Sequence, residues 1–156
     1  MRRLILIFGL ILSLASITSI ESARAQATDV KSVVEAYKQA FASGNLDATF
    51  ATFADNAAST DPTGVFKNKA DFRAATEAFL MQNPGASVSF GDTVYALDTA
   101  IHRIAFASDP IRAAGVSRIW LIETLVVFNG KIVSYAAVLD LSDAETAKFA
   151  AALSGR

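Results

Sequence analysis

The sequence predicts an α+β domain in which an antiparallel sheet curves around helices and encloses a cone-shaped cavity. Two observations lead to this prediction. Apolar residues recur at helical spacing in the first half of the chain, and segments rich in Val, Ile, Phe and Tyr follow one another in the second half. We expect a ligand to bind in the cavity between the sheet and the helices.

The amino-terminal residues have the pattern of a secretory signal peptide. Two arginines precede an unbroken apolar stretch at 4–12, and a polar tail carries two overlapping small-x-small sites. We expect cleavage after Ala25 or Ala27, which makes 1–25 the signal peptide and 28–156 the domain. A transmembrane anchor is the alternative, but the apolar stretch is shorter than the roughly 20 residues that a bilayer requires. We therefore expect an exported protein, periplasmic or extracellular, with no stable membrane anchor after cleavage.

Composition argues against several classes of function. The chain has a formal net charge of −1 at pH 7 and no cluster of Lys or Arg, so we expect neither nucleic acid nor an anionic membrane surface as a partner. It has no cysteine and one histidine, and we therefore expect no bound metal. The sequence lacks nucleophile-elbow, phosphate-loop and dinucleotide motifs, so we also expect no cofactor.

Three helices are predicted before the sheet. The first carries Phe41 on its apolar face and ends at Gly44, which favours a left-handed stop. The second carries Phe53 and is predicted to end near Asp55. The third begins after Asn68, a good N-cap residue.

Other short signals mark a turn and a last helix. Ala57 to Thr60 can form a short strand, and Asp61-Pro62-Thr63-Gly64 then interrupts regular structure. Ser142 and Glu145 are spaced as in a capping box, which predicts a final helix that runs to about Leu153.

Four β segments make up the predicted sheet. They are Ser87 to Ala96, Thr99 to Ser108, Arg118 to Phe128 and Lys131 to Asp140. Asn129-Gly130 joins the last two as a hairpin. The third segment is apolar on both faces, and such a strand needs cover on both. The helices cover one face, and we expect either a homodimer through the sheet or the C-terminal helix to cover the other.

Several of these segments together resemble the SnoaL-like and ketosteroid isomerase-like branches of the nuclear transport factor 2-like superfamily. The matching segments are Val33 to Tyr37, Gly44 to Asp47, Phe53 to Asp55, Asp61 to Gly64 and Phe128 to Ser134. The resemblance covers nearly all of the mature chain except the final helix. It implies the cystatin-like, cone-shaped fold of that superfamily.

The resemblance also implies a catalytic pair, Asp61 and Tyr37. In ketosteroid isomerases the matching aspartate is the general base, and the matching tyrosine donates a hydrogen bond to the oxyanion. A carboxylate in an apolar cavity has its pKa raised by desolvation, and a phenol can stabilise an enolate. Each residue also has a simpler interpretation, because Tyr37 lies on a core-facing stripe and Asp61 fits position i of a type I turn.

A third position departs from the isomerases, which keep a second acid on the strand before the hairpin. Aligning Phe128 and Asn129 places Thr124 there, whereas a slip of one residue would place Glu123 there and reverse the face. We prefer Thr124 as a weaker hydroxyl donor. We expect Glu123 to pair with an arginine on the neighbouring strand, such as Arg103.

The remaining candidate ligand-binding residues are mainly aromatic. We expect them to form the wall of the cavity, with His102 either a pocket residue or a satisfied core residue. They are Phe41, Phe53, His102, Trp120 and Tyr135.

The signal-peptide pattern predicts an exported domain, and the resemblance implies that it binds a small apolar molecule. The activity that the resemblance implies is an isomerase- or cyclase-type proton transfer without a cofactor. The alternative is a non-catalytic domain that binds a small molecule or another protein, because one fold hosts many functions.

Overall fold

The computed structural model describes residues 30–154. The predicted signal peptide and both cleavage sites lie outside the described residues. The helices pack on the inner face of one six-stranded sheet. They are α1 (30–42), α2 (Leu46–Ala51), α3 (Lys69–Gln82), α4 (Asp109–Ala113) and α5 (Ala144–Ser154).

The sheet has the strand order β2-β1-β6-β5-β4-β3. Its strands are β1 (Phe53–Asp61), β2 (Gly64–Phe66), β3 (Ser87–Ala96), β4 (Thr99–Ala107), β5 (Ile119–Phe128) and β6 (Lys131–Leu139). The pair β1–β6 is parallel, and the other neighbouring pairs are antiparallel. The predicted α+β class is confirmed, but the sheet is mixed rather than antiparallel. β1 comes from the helical half of the chain and joins the meander beside its last strand, β6.

The second predicted helix is shorter than expected. It ends at Ala51, and Phe53 begins β1, where the aromatic ring is 2% exposed. Phe50 and Phe53 also suit a helical stripe, but pairing of Phe53 with Ile132 on β6 places the ring in the core. Tertiary contact therefore overrides the local pattern.

The loop after β4 contains a short helix that was not predicted. Ser108 caps α4 through a side-chain contact with the Ile111 amide, and Pro110 occupies the first turn, where a missing N–H costs no intrahelical bond. Ile111, a residue of α4, is buried.

The cap of the final helix also differs from the prediction. Asp143 Oδ1, not Ser142, accepts the Thr146 amide at 2.9 Å. Ser142 donates instead to Asp140, and Glu145 accepts from Ser117 in the loop before β5. The capping-box prediction was wrong because both of its residues have tertiary partners.

Alternation along β5 determines which side chains face the helices. Glu123, Leu125 and Val127 are buried, whereas Thr124 and Phe128 on the other face are half-buried or exposed. The odd-numbered residues therefore point to the inner face, where the core and the cavity lie.

Candidate functional site

A cavity of about 360 Å³ lies between the inner face of the sheet and helices α1, α2, α3 and α5. Its walls are mostly apolar and rich in aromatic rings. The phenylalanines that line it are Phe41, Phe50, Phe53, Phe72, Phe79, Phe106 and Phe149. Mostly apolar walls with a few polar groups are typical of a small-molecule site.

The polar groups converge on Glu123. Its side chain is about 1% exposed, and its carboxylate accepts hydrogen bonds from two tyrosine hydroxyls and contacts one imidazole. Tyr135 Oη donates to Oε1 at 2.6 Å, and His102 Nε2 lies 2.8 Å from Oε2. Tyr37 Oη lies 3.3 Å and 3.2 Å from the two oxygens. We call Tyr37, His102, Glu123 and Tyr135 the Glu123 cluster.

Both phenols of the Glu123 cluster keep their protons. Burial raises the pKa of Tyr37 well above its usual value, and the charge of Glu123 raises it further. Burial and the Glu123 charge act in the same way on the pKa of Tyr135, with smaller contributions that include Asp61. At neutral pH both hydroxyls are therefore hydrogen-bond donors.

The two hydroxyls differ in how firmly they are held. Tyr135 makes one short bond to Glu123, whereas Tyr37 shares a single proton between two longer contacts. Hydrogen bonds weaken as they lengthen. Tyr37 is therefore the donor that a ligand oxygen can redirect at lower cost.

His102 supports the carboxylate from β4. It lies directly opposite Glu123 in the β4–β5 register, and its side chain is fully buried. An ionised carboxylate only accepts hydrogen bonds, so we assign the imidazole proton to Nε2. Nδ1 is buried without a hydrogen-bond partner among residues 30–154, and the edge of Phe90 packs against the ring.

Asp61 lies at the turn between β1 and β2 and lines the same cavity. Its Oδ1 accepts hydrogen bonds from the Thr63 amide, the Thr63 hydroxyl and the Gly64 amide. The carboxylate thus caps its own turn, as the simpler interpretation expects, and also borders the cavity. Its catalytic pairing with Tyr37 stays a prediction.

Five of the predicted site residues line the cavity. They are Tyr37, Phe41, Phe53, Asp61 and Tyr135. The other three, His102, Thr124 and Trp120, do not line it. His102 lies beside Glu123 on the neighbouring strand. Thr124 and Trp120 lie on the outer face of the sheet, because the even-numbered residues of β5 point away from the cavity.

The prediction for Thr124 rested on aligning Phe128 and Asn129 along β5, and it was wrong because the odd-numbered residues of that strand face the cavity. Thr124 and Tyr135 were both expected at the cavity, but a register shift after Ile132 pairs Tyr135 with Leu125 instead. A shift of one residue reverses the face of every side chain beyond it. Tyr135 therefore faces the cavity together with Glu123, and Thr124 faces outward.

The predicted pairing of Glu123 with Arg103 was also wrong. Arg103 lies on the outer face, where its guanidinium binds Asp140 at 2.8 Å and stacks over the Trp120 ring. The signal that could have identified Glu123 was its place between two leucines on one otherwise apolar face of β5. His102, the only histidine, occupies the matching position on the neighbouring strand.

Two classes of site are not found in the part of the chain that the structure describes. No group of three or more His, Cys, Asp or Glu side chains is arranged to hold a metal ion there. Within the same range, no helix has the length and apolar character needed to cross a membrane.

Solved structures with a similar fold come from several bacteria. A proposed polyketide cyclase from Sinorhizobium meliloti matches with a TM-score of 0.61 and 18% identity, over 72% of this chain and 99% of its own. A proposed ketosteroid isomerase from Kribbella flavida matches with a TM-score of 0.58 and 12% identity, over 72% and 78%. A proposed hydroxylase from Streptomyces galilaeus matches with a TM-score of 0.58 and 16% identity, over 73% and 90%. At these identities the likeness shows the fold alone.

The mixed sheet with helices on its inner face has the nuclear transport factor 2-like fold. Residues 34–135 match the SnoaL-like domain, and the chain belongs to this family. The resemblance stated from the sequence is thereby confirmed. Among curated proteins, none matches the chain.

Proposed function

We propose that the protein binds a small, mostly apolar carbonyl compound in its cavity and moves a proton on it. The observation that carries this proposal is the Glu123 cluster, a buried carboxylate and two protonated phenols at the wall of an aromatic cavity. Acid and base groups held away from water suit proton transfer next to a carbonyl group. Two solved structures of similar fold, which are proposed to be a cyclase and an isomerase, support the same class of chemistry.

The proposed step uses the unequal hydrogen bonds of the cluster. Glu123 takes a proton from the carbon next to the carbonyl, the C–H electron pair forms the C=C bond of an enolate, and the π electron pair of the carbonyl moves onto its oxygen. Tyr37 redirects its O–H to that oxygen, while His102 holds the carboxylate in place from behind. In a ligand with a neighbouring C=C bond, Glu123 returns the proton at the far carbon of the dienolate, which isomerises the ligand. In a ligand with a second carbonyl group, the enolate carbon bonds to that carbonyl carbon, the π electron pair of its C=O bond moves onto oxygen, and Glu123 gives the proton to this oxygen, which completes a cyclisation.

The electrostatics of the walls favour an uncharged ligand. Within the described residues, the lining contains the carboxylates Glu123 and Asp61 and no Lys, Arg or His side chain. An anionic ligand would lie near like charges with no cation to offset them.

Deuterium exchange into 2-tetralone, a ketone with acidic neighbouring protons, tests the proposal. We expect the protein to accelerate exchange in D₂O, measured by proton NMR. Glu123→Gln should slow the exchange about 100-fold, which is at the lower end of the effect of losing a general base. Thr124→Val is the matched control on the opposite face of the same strand, and we expect it to keep the full rate.

The same measurement separates the alternatives. If Asp61→Asn abolishes exchange and Glu123→Gln does not, the base is Asp61, as the resemblance to ketosteroid isomerases implies. If the protein binds 2-tetralone without accelerating exchange, the non-catalytic binding function is correct. The Glu123 carboxylate already has protein donors at both oxygens, and this observation favours that second candidate.

We also propose export and a homodimer through the outer face of the sheet. The signal-peptide pattern supports export, and mature protein should begin at Gln26 or Thr28 on amino-terminal sequencing. Val94, Ile101 and Val138 support the dimer, because they are 43–68% exposed on that face while α5 packs on the cavity side. Sedimentation should give twice the monomer mass, and Ile101→Lys should halve it.

A further inference from the structure

One wall of the cavity comes from outside the segment shared with the family. The SnoaL-like match ends at residue 135, whereas α5 begins at Ala144. Phe149 and Leu153 of this helix line the cavity. Part of the binding surface is therefore contributed by a segment that the family match does not include.

Helix α5 is held with one face toward the cavity. Thr146, Phe149 and Leu153 follow at steps of three and four, which places them on the same face. Thr146 Oγ1 accepts the Trp120 amide at 2.8 Å, and Lys148 Nζ donates to the Gly115 carbonyl at 3.2 Å. Since these contacts tie the helix to the start of β5 and to the loop before it, the direction in which Phe149 points is set by the sheet and that loop.

The inner face of β5 connects the Glu123 cluster to this wall. Leu121 and Ile119 follow Glu123 along the cavity, and Ile119 belongs to the apolar cluster on which Phe149 packs. Four residues of strand span about 13 Å. A ligand whose carbonyl reaches Tyr37 therefore extends along β5 toward Phe149 and Leu153.

We propose that Phe149 and Leu153 form a specificity wall that limits the length of the ligand. The proposal rests on the proposed binding of a carbonyl compound in this cavity. The Glu123 cluster holds the polar end, and α5 stops the apolar end. The family-shared part of the chain thus supplies the chemistry, and the added helix selects the substrate by size.

A series of phenyl n-alkyl ketones, from acetophenone to decanophenone, tests the wall. Each buried methylene increases affinity about fourfold. We expect affinity for the unmodified protein to rise along the series and to stop rising at the chain length that reaches α5. Titration calorimetry measures each dissociation constant.

Truncating a side chain of the wall should increase the ligand length at which affinity stops rising. We expect Leu153→Ala and Phe149→Ala each to let affinity rise for at least one further methylene, so that the first ketone beyond the original limit binds about fourfold more tightly. Leu141→Ala is the matched control, because Leu141 is 61% exposed and does not line the cavity, whereas Leu153 is 52% exposed and does. The exposure of Leu153 also means that its removal leaves the core intact.

The outcomes distinguish this inference from the proposed function. An unchanged limit in both wall variants, with normal binding of short ketones, overturns the wall and leaves the proposed function standing. A shift of the limit in Leu141→Ala equal to that in Leu153→Ala also overturns it. If the unmodified protein binds no ketone of the series, the proposed function and the wall fail together.

Discussion

The three partners of the Glu123 carboxylate differ in how strongly their hydrogen bonds offset the cost of burying it. An ionised carboxylate is costly to bury unless it is paired and hydrogen-bonded. Tyr135 provides the short bond of 2.6 Å and His102 the contact of 2.8 Å, whereas Tyr37 lies at 3.2 Å or more. The cluster is therefore anchored by Tyr135 and His102, and Tyr37 is the member available to a ligand.

This difference predicts unequal costs for removing the two hydroxyls. We expect Tyr135→Phe to lower the free energy of unfolding by about 2 kcal/mol, a value typical of a hydrogen bond to a buried charged group. Tyr37→Phe should cost about 1 kcal/mol because its contacts are longer. Urea unfolding measures both, and Tyr95→Phe, which removes a solvent-exposed hydrogen bond to Glu35 instead of a buried one, is the control. Equal losses for Tyr37 and Tyr135 would contradict this ranking.

Helix α5 shows how one buried side chain can fix a whole element. Thr146 is fully buried, accepts the Trp120 amide and donates to Asp143, the residue that caps the helix. A β-strand and a helix terminus are thus joined through one hydroxyl. The position of Phe149 at the cavity depends on this joint.

Replacing the hydroxyl with a methyl group should therefore loosen α5. We expect Thr146→Val to lower the free energy of unfolding by about 2 kcal/mol, because the Trp120 amide loses its acceptor while the shape is kept. Amide hydrogen exchange at Trp120 should become faster. Thr124→Val, on the outer face, should change stability by about 0.5 kcal/mol or less. Equal stability of Thr146→Val and Thr124→Val would contradict the role of the Thr146 hydroxyl in joining the strand to the helix.

The tyrosines make the stability of the whole molecule depend on pH in the alkaline range. The sequence contains three tyrosines, Tyr37, Tyr95 and Tyr135. Burial raises the pKa of Tyr37 and Tyr135 well above the usual value, and it raises the pKa of Tyr95 to about 12, with a further contribution from a hydrogen bond to Glu35. The folded chain therefore holds these protons more tightly than the unfolded chain does.

The sign of the pH dependence follows. Below about pH 10 both states are protonated and the stabilisation is complete, whereas above it the unfolded state loses protons first, so stability falls as pH rises. For the two buried phenols the slope approaches about 1.4 kcal/mol per pH unit each. Absorbance at 295 nm should show no phenolate at pH 10.5 in the folded protein and more than half in 8 M urea. Ionisation near pH 10 in the folded state would contradict the burial of the cluster.

Much of the architecture was predictable because it depends on local pattern. The β-type segments after residue 86 lie within one residue of the observed strands, and Asn68 caps α3 as expected. The resemblance also placed Tyr37 and Asp61 at the cavity. Spacing, capping and turn chemistry act over a few residues, so they can be recognised without knowledge of the fold.

The residues that face the cavity from the sheet were not predictable in the same way. Thr124 and Glu123 are neighbours that point to opposite faces of β5, and packing against the helices decides which of these faces is the inner one. The pairing of Glu123 with His102 and the placement of Phe149 likewise require strands and helices that are distant in sequence. Local pattern thus determined the elements and the family, whereas pairing register and long-range packing decided which side chains of the sheet face the cavity. The reason is that strand register is set by contacts between strands, and a shift of one residue exchanges the two faces.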